Sequence, residues 1–397
     1  MGSREVIENI KAILVSLEPD LIALRRYFHQ HPELAFEEYK TSAKVKEKLE
    51  EWGISFKEGV AKTGIIATIK GVDPDSKTFA LRGDMDALPI LEENECIYKS
   101  KEDGKMHACG HDVHTTCVLG AAYVLNALKD NFRGTVRLIF QPSEEKLPGG
   151  ASVMIKEGAL ANPTPVGIAG QHVFPELEVG KVGFISGQYM ASCDELYFTV
   201  KGVGGHAALP HKLKDPIEMA SYIILALKEL PLKSPEGIET VLSIGKIEAK
   251  GATNVVPSEV YMEGTLRTMN EAWRGQLHKY IYDIARFNAK SLGGECDVRI
   301  ERGYPFLKND PELTKIMKSA AQEYLGENNV VDLQKRMTAE DFAYYSQIIP
   351  GSFHRLGVRN QEKGINSPVH TSTFDVDENC LVVGSGLLAY GAFKVLN

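Results

Sequence analysis

The 397 residues carry 45 Lys and Arg against 53 Asp and Glu, a formal charge of -8, with 43% hydrophobic and 25% charged residues. This is an ordinary globular composition, and its acidic balance argues against a phosphate-tracking surface, which draws its affinity from clustered Lys and Arg. Nearly 400 residues exceed what one hydrophobic core usually organises, so about two domains are expected.

The first fifty residues read as helix. Apolar residues recur through Ile7, Ile10, Leu14 and Leu17, then through Val45, Leu49 and Trp52 up to a stop at Gly53. From there short β-rich runs alternate with helices: strands 64–70 and 78–83, helix 113–129, strand 135–141, helix 151–157 and strand 166–171. Strands separated by helices imply a mixed, mainly parallel α/β sheet covered on both faces, with a binding crevice outside the carboxyl ends of the strands. Residues 195–302 change rhythm to strand, helix, strand, strand, helix, strand, the ferredoxin-like order. The expectation is a catalytic domain built from 1–186 and 304–397, interrupted by a ferredoxin-like α+β domain at 187–303. The closing segment returns to α/β character, with helix 312–325, a short strand 353–356 and a final helix from Asp377.

No apolar run approaches the roughly 20 residues of a membrane helix. The stretch 1–10 is too charged for a secretory leader. The six cysteines, Cys96, Cys109, Cys117, Cys193, Cys296 and Cys380, contain no Cys-x-x-Cys pair. A cytoplasmic location is therefore expected, where a conspicuous cysteine is a ligand or nucleophile rather than half of a disulfide.

The strongest chemical signal lies at 106–114, where Cys109, His107, His111, His114 and Asp112 crowd into nine positions just before a helix. Cys109 and His111 flank a glycine, so both can face one centre, and the helix N-terminus favours a thiolate. The predicted strand ends add Asp84 and Asp86, Glu144 and Glu145, and His172. A thiolate at Cys109 with carboxylates at Asp86, Glu144 and Glu145 makes four formal negatives, which buried together would repel unless cations compensated them. Two divalent ions about 3.5 to 4 Å apart are the economical hypothesis. Thiolate and imidazole suit Zn²⁺, while carboxylate and water suit Mn²⁺.

These segments resemble the aminoacylase and carboxypeptidase family of dinuclear metallohydrolases, in particular the branch of hippurate hydrolases, N-acyl-amino-acid amidohydrolases and auxin-conjugate hydrolases. The likeness covers nearly the whole chain, at 25–34, 81–89, 106–114, 140–145, 170–172, 202–211, 254–257, 264–267, 340–342 and 369–370. It implies a zinc-peptidase-like fold with an inserted lid and dimerisation domain, and hydrolysis of the amide bond of N-acyl-L-amino acids by a metal-activated water.

By that resemblance Cys109 bridges two ions, with Glu145 and His370 completing one site and His111 and His172 the other. Glu144 is the general base, Asp86 orients the ligands, and His206 is a donor to the developing oxyanion. Asn254 also reaches the active site, and Arg267 is a partner for the substrate carboxylate. Zn²⁺ or Mn²⁺ is expected, with Ni²⁺ or Co²⁺ as further options, and a homodimer through the inserted domain. Much of the wider family has a histidine ligand at the position of Asp84 and an aspartate at that of Cys109, which leaves Asp84 without a role. His29, His31, His107 and His114 have none either.

Three rivals differ in chemistry. A carboxypeptidase or dipeptidase of the same family would use the same metals on a peptide bond. A cysteine hydrolase would use Cys109 with His111 as base, but would leave Glu144, Glu145, His172 and His370 unexplained. A metal-dependent binding protein would have no use for the spare carboxylate of Glu144.

Overall fold

A computed structural model describes residues 2–397. Two helices, α1 (Ser3–Gln30) and α2 (Tyr39–Glu51), lead into β1 (Ser55–Val60), β2 (Gly64–Lys70) and β3 (Thr78–Asp84). Then come α3 (His111–Ala127), β4 (Thr135–Gln141), α4 (Gly150–Lys156), β5 (Gly167–Glu178) and β6 (Val182–Phe184). The middle of the chain holds β7 (Gly187–Met190), β8 (Asp194–Lys201), β9 (Gly205–His206), α5 (Pro216–Lys228) and β10 (Thr240–Ala249). It continues with β11 (Val255–Val256), β12 (Glu259–Thr268), α6 (Glu271–Ser291) and β13 (Glu295–Arg302). The last elements are β14 (Leu307–Asn309), α7 (Pro311–Leu325), β15 (Val330–Asp332), α8 (Ala343–Ser346), β16 (Gly351–Arg359) and α9 (Cys380–Leu396).

The described residues form two compact units, one of 2–187, 308–334 and 341–397, the other of 188–307 and 335–340. In the first, α1 buries Val6, Ile10, Leu14, Leu17, Leu21, Leu24 and Phe28 along one stripe at helical spacing. The helical opening is broken at 31–38, because Pro32 keeps His31 out of the helical region, at φ -127° and ψ 55°. The second helix stops where Gly53 takes φ +64°.

An eight-stranded sheet runs in the order β1-β2-β4-β3-β5-β16-β6-β15. Its centre is parallel, as the alternation predicts: β4 with β3, β3 with β5, and β5 with β16. Toward the edges β1–β2, β2–β4 and β6–β16 are antiparallel, while β6–β15 is parallel. The edge strands β1 and β15 and the three-residue β6 between β16 and β15 escape the sequence reading because they are short or half-exposed. Every residue of β3 and β4 is buried, the mark of a strand covered on both faces. One covering helix, α3, is buried on nearly all sides against α1 and α9, so its N-terminus is fixed beside the sheet.

The second unit carries an antiparallel sheet, β10-β12-β8-β13, with α5 and α6 packed together and onto it. The ferredoxin-like order is present, and strand 240–247 extends to Ala249. Its separate core gathers Leu196, Phe198, Met219, Ile223, Leu277 and Ile281. A buried ion pair ties the ends of the fold together. Arg274 Nε donates to Asp194 Oδ2 at 2.9 Å, and Arg274 Nη2 donates to the carbonyls of Cys193 (3.2 Å) and Gly303 (3.0 Å). His278 Nε2 lies 2.6 Å from Asp194 Oδ2. Burial would raise the Asp194 carboxyl, but His278 and Arg274 hold it below the usual carboxylate range.

Asp194→Asn removes the buried one of the two carboxylates paired with Arg274, leaving Glu271 at 3.1 Å, and is expected to cost about 3 kcal/mol in urea unfolding of the intact chain near pH 7. A depressed carboxyl gives stability above its unfolded value and loses it as pH falls, so the gap between wild type and variant should close below about pH 4. A gap that does not depend on pH would place the cost elsewhere.

Candidate metal and active site

The turn before α3 requires glycine at position 110. Gly110 sits at φ +80°, and a Cβ there would come within 2.5 Å of the Val173 side chain. This close approach sets Cys109 against β5, with its Sγ 3.3 Å from His172 Nε2. His172 lies within β5 rather than beyond its end, because the strand continues to Glu178. Its Nδ1–H donates to the Val173 carbonyl at 2.8 Å, which leaves the Nε2 lone pair facing the thiol.

From the other end of the chain, His370 Nε2 reaches within 3.2 Å of the same sulfur. The His370 backbone has φ +62°, and its N–H donates to the Ala108 carbonyl at 2.8 Å, which anchors this turn beside Cys109. Glu145 Oε1 lies 3.1 Å from His370 Nε2. His111 turns Nδ1 toward Asp86 Oδ1 at 3.2 Å, and its Nε2 is 3.8 Å from Asp84 Oδ2 and 4.0 Å from Glu145 Oε1.

The loop from Pro142 to Gly149 that carries Glu144 and Glu145 is held from behind. Asp86 accepts the Glu144 N–H on one carboxylate oxygen and the Glu145 N–H on the other, both at 2.9 Å. Asp341 accepts Arg82 Nη2 (2.7 Å), Gln141 Nε2 (2.8 Å) and the Ala151 N–H (3.0 Å), gripping both ends of the loop.

Three side chains without a role in the sequence reading, Asp84, His114 and His29, now have one. Asp84 accepts from Arg82 Nη1 and from His114 Nδ1, both at 2.6 Å, and His114 Nε2 accepts the Val173 N–H at 2.9 Å. This strut of Asp84, His114 and the Val173 amide braces the backbone next to His172. His29 and Arg25 bind the Asp112 carboxylate at 2.7 and 2.9 Å and so anchor the start of α3. His31 turns Nδ1 to its own helix, 2.8 Å from the Tyr27 carbonyl. His107 is fully buried, and neither ring nitrogen has a hydrogen-bond partner.

The electrostatics correct one expectation. Burial, and then the carboxylates of Glu145, Glu144 and Asp84, push the Cys109 thiol well up, so the helix N-terminus does not by itself yield a thiolate. Burial would lower the His111 imidazole, yet Asp84, Asp86 and Glu145 drive it up to about 10. His172 is held well down by burial and by Arg355. A cavity that protonates both a thiol and an imidazole has an excess of negative charge.

The donor set fits a pair of cations. Cys109, His111 and His172 form one group and Cys109, Glu145 and His370 another, each with its ligand atoms within 4.8 Å of one another. His111 Nε2 and Glu145 Oε1 are buried and make no hydrogen bond, a cost of about 1 to 3 kcal/mol each that ligation would remove. A thiol nucleophile fits less well, because His111 offers Nδ1 to Asp86 and the thiol is held protonated. His206, Asn254 and Arg267 belong to the second unit. His206 and Asn254 are exposed on a small ribbon where the Ala207 N–H donates to the Asn254 carbonyl at 3.0 Å. Arg267 Nη1 donates to the Met337 carbonyl at 3.3 Å.

The sequence profile of Peptidase family M20/M25/M40 matches residues 80–391. An N-acetyl-L-cysteine deacetylase of Bacillus subtilis is 37% identical over 385 residues, covering 97% of this chain and 90% of the relative. A thermostable carboxypeptidase of Saccharolobus solfataricus is 37% identical over 99% of this chain and its own full length. A crystal structure of a dinuclear metal-binding M20 peptidase from Bacillus subtilis superposes with a TM-score of 0.81 at 34% identity, covering 96% of this chain and 99% of that one. The chain belongs to Peptidase family M20/M25/M40 and is a metal-binding hydrolase of that family.

Proposed function

We propose that the protein hydrolyses the amide bond of N-acyl-L-amino acids with two divalent cations. One is held by Cys109, Glu145 and His370, the other by Cys109, His111 and His172. The observation that carries this reading is a single thiol within 3.3 Å of two imidazole Nε2 atoms nearly 200 residues apart in the chain, His172 and His370, with Glu145 beside the second. Bound cations supply a lowered pKa for water and a Lewis acid for the amide carbonyl. The fit to thiolate and imidazole favours Zn²⁺, with Mn²⁺, Ni²⁺ and Co²⁺ as the other candidates.

Glu144, buried and next in chain to the proposed ligand Glu145, takes the proton of the attacking water and delivers it to the leaving amine. Asp86 keeps that carboxylate aimed by holding the backbone amides of Glu144 and Glu145. His206 donates to the oxyanion, Asn254 also contacts substrate, and Arg267 pairs with its free carboxylate, in a cytoplasmic homodimer associated through the inserted unit. A dipeptidase or carboxypeptidase activity of the same site is the second reading, favoured by the 37% identity to the carboxypeptidase.

A panel of N-acetyl, N-benzoyl and long-chain acyl amino acids, run beside dipeptides with added Zn²⁺ or Mn²⁺, separates the two. Turnover confined to dipeptides would replace the first reading by the second. Glu144→Gln is expected to keep its metal content while kcat falls by about 10² to 10⁴-fold, and near-normal turnover would remove Glu144 as the base.

Titrating chelator-treated protein with Zn²⁺ at pH 7.5 should release about two protons per chain, one from Cys109 and one from His111, because both are protonated before ligation. Calorimetry in buffers of different ionisation enthalpy reads this count, and a value near zero would contradict the ligand set.

A further inference from the structure

We propose that Glu38 is a positioning residue for the hydrolytic loop, holding Ser143 in the backbone conformation that aims Glu144 and Glu145. The inference rests on the proposed roles of those two carboxylates. Glu38 is fully buried, just before α2 and far in sequence from the loop it serves. Its Oε1 accepts two backbone N–H groups, that of Phe36 and that of Ser143, each at 2.9 Å. Its Oε2 accepts the Thr63 hydroxyl at 2.5 Å.

The two amides share a property. Phe36 has φ +63° and Ser143 φ +54°, a region that residues with a Cβ seldom enter and that costs of order 1 to 3 kcal/mol each. One carboxylate oxygen thus pins two strained turns. Ser143 is the residue immediately before Glu144, and with Asp86 the arrangement captures three successive amides, Ser143 by Glu38 and Glu144 and Glu145 by Asp86. Downstream the loop is closed by the Gly150 N–H donating to the Ser143 carbonyl at 2.7 Å. Without Glu38, Ser143 would leave a buried amide unsatisfied and would relax toward negative φ, swinging the peptide that carries Glu144.

Burial, with Asp86 nearby, raises the Glu38 carboxyl to about 7, so a neutral amide is a close replacement at this position. Glu38→Gln keeps the acceptor oxygen for both amides, whereas Glu38→Ala removes it. Two readouts are required. In metal-free protein, amide hydrogen exchange of the 140–147 segment should speed up in Glu38→Ala and stay near wild type in Glu38→Gln. In metal-loaded protein, Glu38→Ala should lose about 10- to 100-fold in kcat on the best acyl amino acid of the panel, with KM within about threefold, while Glu38→Gln stays within about threefold of wild type.

Val45→Ala, which hollows the core beneath α2, serves as the stability control and should lower the melting temperature without changing kcat. If Glu38→Ala yields no folded protein, Glu38→Asp, which withdraws the acceptor by one methylene, takes its place with the same expectations. Unchanged exchange and kcat in the acceptor-deleting variant would overturn the proposal. So would a kcat loss equalled by Val45→Ala, or a Glu38→Gln as damaged as Glu38→Ala. A fully active Glu144→Gln would overturn the base assignment alone, because the exchange measurement on metal-free protein judges Glu38 separately.

Discussion

The site depends on a concentration of negative charge that the fold cannot neutralise with its own cations. Asp84, Asp86, Glu144 and Glu145 converge on Cys109 and His111, the first three of them buried, and Arg82 pairs with Asp84. The result is a thiol held well above its usual range and an imidazole lifted to about 10. Both groups are held in the protonated form, which cannot ligate, and a divalent cation bound there as proposed would displace both protons. The affinity for metal and the destabilisation of the empty site are therefore two aspects of one repulsion.

Holding such a cluster in place takes rigid backbone, and the molecule uses amides rather than side chains for most of it. Asp86 fixes two consecutive amides of the loop, Glu38 fixes the one before, and Asp341 reaches from 190 residues away to the first turn of α4. His370 is tied through its own N–H to Ala108, and His172 is braced through its neighbour Val173 by His114. Each contact restrains a peptide group next to a functional side chain. The side chains themselves keep their lone pairs turned inward.

Much of this was legible in the sequence where the information is local. The crowding of residues 106–114, the alternation of strands and helices, and the ferredoxin-like order of 195–302 follow from periodicity and from turn residues. The short strands β6 and β15 did not, since three residues carry too little pattern. The favourable effect of the α3 N-terminus on Cys109 is a local field, and it loses to burial and to carboxylates brought in from two other segments. Asp84, His114 and Glu38 had no legible role because the contacts that tie them to the site, to His114, the Val173 amide and the Ser143 amide, span 30 to 105 positions, and two of them end on backbone amides. The positive φ of Ser143 and His370 is likewise invisible at residues that are not glycine.

The most direct measurement is anomalous diffraction from crystals of the protein grown with Zn²⁺ or Mn²⁺. The account predicts two peaks about 3.5 to 4 Å apart. Cys109 Sγ should lie at bonding distance from both, with His111 and His172 on one and Glu145 and His370 on the other. A single peak, or a pair that leaves Cys109 out of the coordination, would contradict it.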